Sequence, residues 1–78
     1  MFYAYVLRSK KDNKLYIGQT RDLKKRVMRH NEGLVPSTKH RRPMELVYYE
    51  ACLNEEKSIK GEKYFKTGFG RKFLKSRI

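Results

Sequence analysis

Two short segments with the composition of β-strands lie close together at the start of the chain. Residues 2 to 8 read FYAYVLR and residues 15 to 20 read LYIGQT, and both are rich in aromatic and β-branched side chains. The polar residues between them include Asp12 and Asn13, which favour turns. This pattern predicts a β-hairpin with a loop of about five residues.

The first of these strands is apolar on both faces. Alternation places Tyr3, Tyr5 and Leu7 on one face, and the apolar residues between them on the other. A strand of this kind is expected to be covered on both sides. We therefore predict that it lies in the centre of its sheet.

A helix is predicted to follow the hairpin. Asp22 or Thr20 can cap a helix through LKKRVMRHN, and Gly33 stands just beyond its end. Leu23 and Val27 are four residues apart and form its buried stripe.

The second half of the chain is predicted to form one more strand and two more helices. Residues 34 to 44 hold both prolines and predict a loop, and ELVYYE at residues 45 to 50 predicts a strand. Asn54 caps a second helix with Ile59 on its core side, and a short third helix starts at about residue 70. The order β-β-α-β-α-α predicts an α+β fold, in which a small three-stranded antiparallel sheet is flanked by helices.

Positive charge dominates the composition. The 78 residues include 20 Lys and Arg against eight Asp and Glu, which gives a formal net charge of +12. So large an excess on one small domain, residues 1 to 78, predicts binding to a polyanion, with nucleic acid as the first candidate. Anionic membrane is the second candidate, but the basic residues are scattered and do not line one amphipathic helix, so we expect no membrane binding.

Cysteine content and hydropathy indicate a reduced, aqueous compartment. Cys52 is the only cysteine, which excludes a disulfide framework and a multi-cysteine zinc site within one chain. No apolar stretch approaches the roughly 18 to 20 residues that span a bilayer. We expect a cytoplasmic protein.

Five elements of the sequence, in order, resemble the GIY-YIG nuclease family, in particular its small stand-alone bacterial branch. The first motif reads Tyr3-Ala4-Tyr5, which departs from the GIY spelling but keeps the tyrosine position, and the second reads Tyr16-Ile17-Gly18. The other three elements are helix residues, the third strand and one glutamate: Asp22, Leu23, Arg26, His30, Asn31 and Gly33, then Leu46 to Glu50, then Glu62.

The resemblance implies an endonuclease that hydrolyses phosphodiester bonds in DNA with one divalent ion, Mg²⁺ or Mn²⁺. Glu62 would anchor the ion, although it could also be a plain i,i+4 partner of Lys66. Arg26 would clamp the phosphate, because its planar guanidinium suits two phosphate oxygens. Tyr5 and Tyr16 would meet across adjacent strands near the attacking water.

The general base stays open between three residues. A tyrosine has an ordinary pKa of about 10, so Tyr5, the first choice, needs nearby cations that favour its phenolate. Tyr16 could take or relay the proton instead. His30, with an ordinary pKa of about 6.5, is an alternative base or a partner that orients a tyrosine.

Further residues are expected to support the site or to bind nucleic acid. Gly18 would leave room beside Tyr5, and Asn31 would hydrogen-bond the backbone of the site or end the helix. The basic loop and the two C-terminal helices supply the predicted nucleic-acid contacts: Lys39, Arg41, Arg42, Lys63, Lys66, Arg71 and Lys72.

Two other functions are compatible with the same residues. A nucleic-acid-binding module or accessory protein could keep the fold without turnover, since stacking and phosphate contacts need no metal. A structural protein of a ribonucleoprotein would leave the two tyrosines and the glutamate without purpose. RNA is an alternative to DNA, and a second copy of the chain or a protein partner could supply specificity.

Overall fold

The central strand of the sheet is the first one, as predicted. A computed structural model describes all residues, 1 to 78, and its strands lie in the order β2-β1-β3, both neighbours antiparallel to β1. The elements are β1 Phe2–Ser9, β2 Leu15–Thr20, α1 Leu23–Asn31, a 3₁₀ turn Lys39–Arg41, β3 Met44–Cys52, α2 Glu55–Phe65 and α3 Gly68–Lys75.

The hairpin loop is closed by local hydrogen bonds. The backbone N–H of Lys14 donates to Asp12 Oδ1 at 2.9 Å, and Asn13 has a positive φ of 60°. The hydroxyl of buried Ser9 accepts from the backbone N–H groups of Lys11 and Asp12, each at 3.1 Å. The predicted five-residue loop is therefore confirmed, since β1 ends at Ser9 and β2 begins at Leu15.

Both faces of the sheet are covered, which confirms the prediction from alternation. Ala4 and Val6 of β1 pack on the face shared with α2 and α3. Tyr5 and Leu7 pack on the opposite face, against Leu23 and Val27 of α1 among others. We call these the α2/α3 face and the α1 face of the sheet.

The helix starts follow from capping side chains. Asp22 caps α1 by accepting from the N–H of Lys25, and Asn54 caps α2 by accepting from that of Lys57. Thr67 caps α3, and this cap places the start of α3 at Gly68, two residues before the expected position.

Three details differ from the expectations. The loop of residues 34 to 44 contains the 3₁₀ turn, and β3 extends beyond residues 45 to 50 at both ends. Ile59 is only half-buried, and Phe65 is the α2 residue in the hydrophobic core. The helices are all too short or too polar to span a bilayer.

Candidate active site

The hydroxyl of Tyr5 lies at the centre of a group of polar side chains on the α1 face. Tyr5 is fully buried and lies opposite Gly18 of β2 in the pairing of the two strands. A Cβ atom added at Gly18 would come within 2.5 Å of the Tyr5 hydroxyl oxygen. Gly18 is thus required for the position of the tyrosine ring, which is the role expected from the sequence.

Helix α1 brings two side chains to this hydroxyl. Arg26 Nε donates to the Tyr5 oxygen at 3.3 Å, and His30 Nε2 lies 2.9 Å from the same oxygen. The two residues are four apart in sequence, so successive turns of α1 place them on one face.

His30 is held from its other side by Thr38. The His30 Nδ1 atom lies 2.7 Å from Thr38 Oγ1, and both residues are fully buried. Burial, together with the charge of Arg26, lowers the pKa of His30 to about 4. The imidazole is therefore neutral at neutral pH, with one nitrogen as donor and one as acceptor.

The neutral imidazole has a preferred arrangement of protons. His30 Nε2 is the one acceptor within hydrogen-bond distance of the buried Tyr5 hydroxyl, since Arg26 is a donor. The Tyr5 O–H group therefore donates to His30 Nε2, and His30 Nδ1–H donates to Thr38. The Thr38 hydroxyl then donates to the carbonyl oxygen of Val35 at 3.5 Å.

Tyr16 completes the aromatic part of the site. Its ring centroid lies 5.0 Å from that of His30 and 6.5 Å from that of Tyr5. Tyr16 is half-buried, whereas Tyr5 is fully buried, so solvent reaches Tyr16 more readily. The two tyrosines do meet across β1 and β2.

Burial decides the protonation of Tyr5. Desolvation raises the pKa of Tyr5 above its ordinary value, and the hydrogen bond and charge of Arg26 oppose this effect only in part. The phenol is therefore protonated at neutral pH. One nearby cation does not make Tyr5 a phenolate in the free protein.

Burial is the main cause of the raised pKa of Tyr5, and the charge of Glu62 on α2 adds a smaller contribution. Gly61 lets α2 approach the sheet, since a Cβ atom there would be 3.1 Å from Ala4 Cβ. Glu62 Oε2 accepts from Lys66 Nζ at 2.8 Å, so the plain i,i+4 pair considered from the sequence is present. The Glu62 side chain keeps 24% of its surface exposed.

A family model described as "GIY-YIG catalytic domain" matches residues 1 to 75 of the chain. The chain belongs to the GIY-YIG family. This is a nuclease-type domain, and the match includes every residue gathered around Tyr5.

The chain is also similar to proteins named UPF0213, both in sequence and in a solved structure. The chain is 47% identical over 66 residues to a UPF0213 protein of Pediococcus pentosaceus, covering 83% of this chain and 68% of the relative. It is 43% identical over 65 residues to the UPF0213 protein YazA of Bacillus subtilis, covering 82% and 65%. The chain thus spans about two thirds of these relatives. A solution NMR structure of a UPF0213 protein from Bacillus halodurans shares its fold, with a TM-score of 0.59 and 30% identity over 97% of this chain and 84% of that one.

GIY-YIG nucleases generally use a divalent metal, and Glu62 is suited to hold one. No group of three or more His, Cys, Asp or Glu side chains is clustered for a metal in this structure. Mg²⁺ nevertheless binds through one or two carboxylates, with water and substrate phosphate as its other ligands. The half-exposed Glu62, whose charge acts on the Tyr5 hydroxyl, fits that requirement.

Two arginines of the basic loop are engaged within the protein. Arg41 pairs with Asp12 at 2.9 Å, which lowers the pKa of Asp12 to about 2. Arg42 Nε donates to the carbonyl oxygen of Lys39 at 2.8 Å. Of the other predicted nucleic-acid contacts, Lys66 pairs with Glu62, and four residues are exposed without an ion pair: Lys39, Lys63, Arg71 and Lys72.

Asn31 ties the end of α1 to the start of β3. Its Nδ2 donates to the carbonyl oxygen of Met44 at 2.9 Å, and its Oδ1 accepts from the Met44 N–H at 2.7 Å. Met44 packs in the same cluster as Tyr5. Asn31 therefore supports the backbone beside the site.

Thr38 is the site residue that sequence reasoning missed. It lies in the loop between α1 and β3, eight positions after His30, and no periodicity links the two residues. A threonine in a loop is an ordinary residue, so only the path of the folded loop identifies its role.

Proposed function

We propose that the protein is a nuclease that hydrolyses phosphodiester bonds in DNA with one Mg²⁺ ion. The observation that carries this proposal is the Tyr5 hydroxyl, which contacts both Arg26 and His30. The Tyr16 ring lies next to Tyr5, and the charge of Glu62 acts on its hydroxyl. A phosphate clamp, a proton path and a carboxylate for a metal are the groups that this reaction requires.

Glu62 would hold the ion, which could also be Mn²⁺. The bound ion would neutralise negative charge on the reacting phosphate. Lys66 engages only the Oε2 atom of Glu62, so the other carboxylate oxygen would be available to the ion.

Arg26 would bind the reacting phosphate. Its Nε–H is used by Tyr5, which fixes the plane of the guanidinium and leaves the terminal N–H groups for phosphate oxygens. Arg26 also lines a hollow together with Lys25 and Arg29, so two further cations lie beside it.

Tyr5 would relay the proton of the attacking water. Because Tyr5 is fully buried in the free protein, the attacking water would reach its oxygen only after a displacement of neighbouring side chains, with the Arg26 Nε contact kept. The water proton then moves to the Tyr5 oxygen while the Tyr5 proton moves to His30 Nε2. The hydroxide forms the new P–O bond, the bond to the leaving oxygen breaks, and that oxygen takes a proton from solvent. His30 then returns its proton through Tyr5 to solvent, which restores the starting protonation.

The charge of the surface supports nucleic acid as the substrate. Only four of the 20 Lys and Arg side chains are in ion pairs. Free cations at this density bind phosphate with an affinity that falls as salt rises. A cytoplasmic location, and specificity supplied by a second copy or a protein partner, stay predictions.

A cleavage assay with a matched glutamate control tests the proposal. We expect the protein to cleave linear, flap, junction or single-stranded DNA in Mg²⁺, and we expect EDTA to abolish cleavage. Glu62→Gln should lower the rate by about 10²-fold or more, as should Arg26→Gln. Glu56→Gln removes another i,i+4 pair of α2, with Lys60, and should leave the rate unchanged.

Two outcomes would contradict the proposed reaction. Equal rates for Glu62→Gln and wild type would show that Glu62 does not hold the ion. Salt-sensitive DNA binding without cleavage of any substrate would identify a binding module of the same fold.

A further inference from the structure

A second basic hollow lies at the hairpin end of β2, away from Arg26. It encloses about 570 Å³. The hairpin loop, the 3₁₀ turn and α3 all contribute to it, although they are distant in sequence. We call it the distal basic hollow, and its lining residues are Asn13, Lys14, Leu15, Arg41, Arg71 and Lys75.

The distal basic hollow contains four cations and has little compensating charge. Lys14, Arg71 and Lys75 have no carboxylate within ion-pairing distance. Asp12 is engaged by Arg41, with contacts of 2.9 and 3.5 Å to its two oxygens. Like charges brought together by separate segments repel one another, and a bound polyanion relieves that repulsion.

Among the residues that line the hollow, Arg41 is held in place by hydrogen bonds. Asp12 and the carbonyl oxygen of Leu15 both accept from its guanidinium, and its own backbone carbonyl accepts from the hydroxyl of Ser9 at 2.6 Å. Arg71 and Lys75 are one turn apart on α3 and exposed, so they can adjust to a ligand.

The hollow and the candidate active site both border edge strand β2, but from opposite faces of the sheet. Strand β2 is an edge strand, and its first residue, Leu15, lines the distal basic hollow. The next residue, Tyr16, belongs to the active site, and Thr20 at the far end lines the hollow of Arg26. With a rise of about 3.3 Å per residue, Leu15 is about 10 Å from Gly18, beside which the Tyr5 hydroxyl and Arg26 Nε lie.

We propose that the distal basic hollow binds backbone phosphates of the same DNA molecule whose reacting phosphate lies at Arg26. The choice of DNA as the ligand rests on the proposed function. The inference that the hollow binds an anion rests on the charges of its own lining residues. This distance of about 10 Å corresponds to about three nucleotide steps of B-form DNA at about 3.4 Å each. A substrate must therefore extend several nucleotides beyond the reacting phosphate on one side to reach both places.

DNA binding in EDTA tests this inference without any cleavage. We would compare wild type with Arg71→Gln/Lys75→Gln for binding to a 20-base-pair duplex between 50 and 200 mM salt. Loss of two phosphate contacts lowers the slope of log affinity against log salt by about 1.8. The control Arg21→Gln/Lys24→Gln removes the same charge from a different hollow, beside Tyr49 of edge strand β3. The slope for this control should change by less than half as much as the slope for Arg71→Gln/Lys75→Gln.

Each outcome decides the inference. A smaller slope for the α3 variant alone supports the distal basic hollow, and backbone NMR shifts at residues 13 to 15 should then respond to DNA in wild type. Equal changes in the two double variants would show binding by diffuse charge, and no change in either would remove the hollow from the interface. Cleavage in Mg²⁺ is scored separately, so loss of the nuclease proposal leaves a positive binding result intact.

Discussion

The two faces of the sheet use the same central strand for different purposes. On the α2/α3 face, Ala4 and Val6 pack against Phe65 and Leu74 in a hydrocarbon cluster, beside which Ser58 of α2 is also buried. On the α1 face, the buried side chains also include polar ones, with Tyr5, His30 and Thr38 joined in one hydrogen-bonded chain.

This difference shows how a very small domain can afford a buried polar site. Burying a polar group is unfavourable unless it finds a hydrogen-bond partner, and no buried side-chain N or O atom here lacks one. The hydrocarbon face stabilises the sheet through the apolar area that it removes from water. The sheet, stabilised by this packing, fixes the positions of Tyr5, His30 and Thr38 on its α1 face.

The largest effect on stability is expected from the hydrocarbon face. Phe65 is 1% exposed and packs on Tyr48 and Phe73, so Phe65→Ala should lower the free energy of unfolding by about 3 to 5 kcal/mol. Urea denaturation followed by circular dichroism measures this change. Phe69 is 81% exposed, and Phe69→Ala is the control, with an expected change below about 0.5 kcal/mol. Similar losses for both variants would refute the importance of this core.

The next effect comes from pH and the α1 face. The pKa of buried His30 is about 4, below the ordinary value of about 6.5 in the unfolded chain. Between these values the unfolded chain binds a proton that the folded protein does not. The free energy of unfolding should therefore fall by up to about 3 kcal/mol as pH drops from about 6.5 to about 4.

Two histidine variants isolate this pH effect. For His30→Gln, the free energy of unfolding should not fall in this way as pH drops. For His40→Gln, which alters an exposed residue, it should fall as in wild type. Should His30→Gln fail to fold, an NMR titration of the wild-type imidazole gives the pKa directly. A His30 pKa near its ordinary value would contradict the prediction.

The smallest effect on stability separates two tyrosines. Tyr5→Phe leaves the Nε2 atom of His30 without its partner and should cost about 1 to 3 kcal/mol, with loss of DNA cleavage by about 10²-fold. Tyr48 lies on the hydrocarbon face, where its ring packs edge-on against Phe65. Tyr48→Phe is therefore expected to change neither stability nor cleavage, as measured by urea denaturation and the Mg²⁺ assay. Equal rates for the two variants would exclude Tyr5 from the proton path.

The sequence by itself determined the elements and their order. The hairpin followed from two β-rich segments around Asp12 and Asn13. Asn54 marked the start of α2 correctly, and Asp22 is the cap of α1 among the two candidates that the sequence offered. Spacing of four residues also placed Arg26 and His30 on one face of α1. These inferences succeed because turns, caps and helix faces depend on residues close together in the chain.

Only the tertiary structure decided which of these side chains act together. It brought Thr38 to His30, paired Arg41 with Asp12 across 29 positions, and brought the cations of α3 to the hairpin loop. It also buried Tyr5 completely, and this burial keeps the phenol protonated despite Arg26. Such features depend on long-range packing and desolvation, which no local pattern encodes.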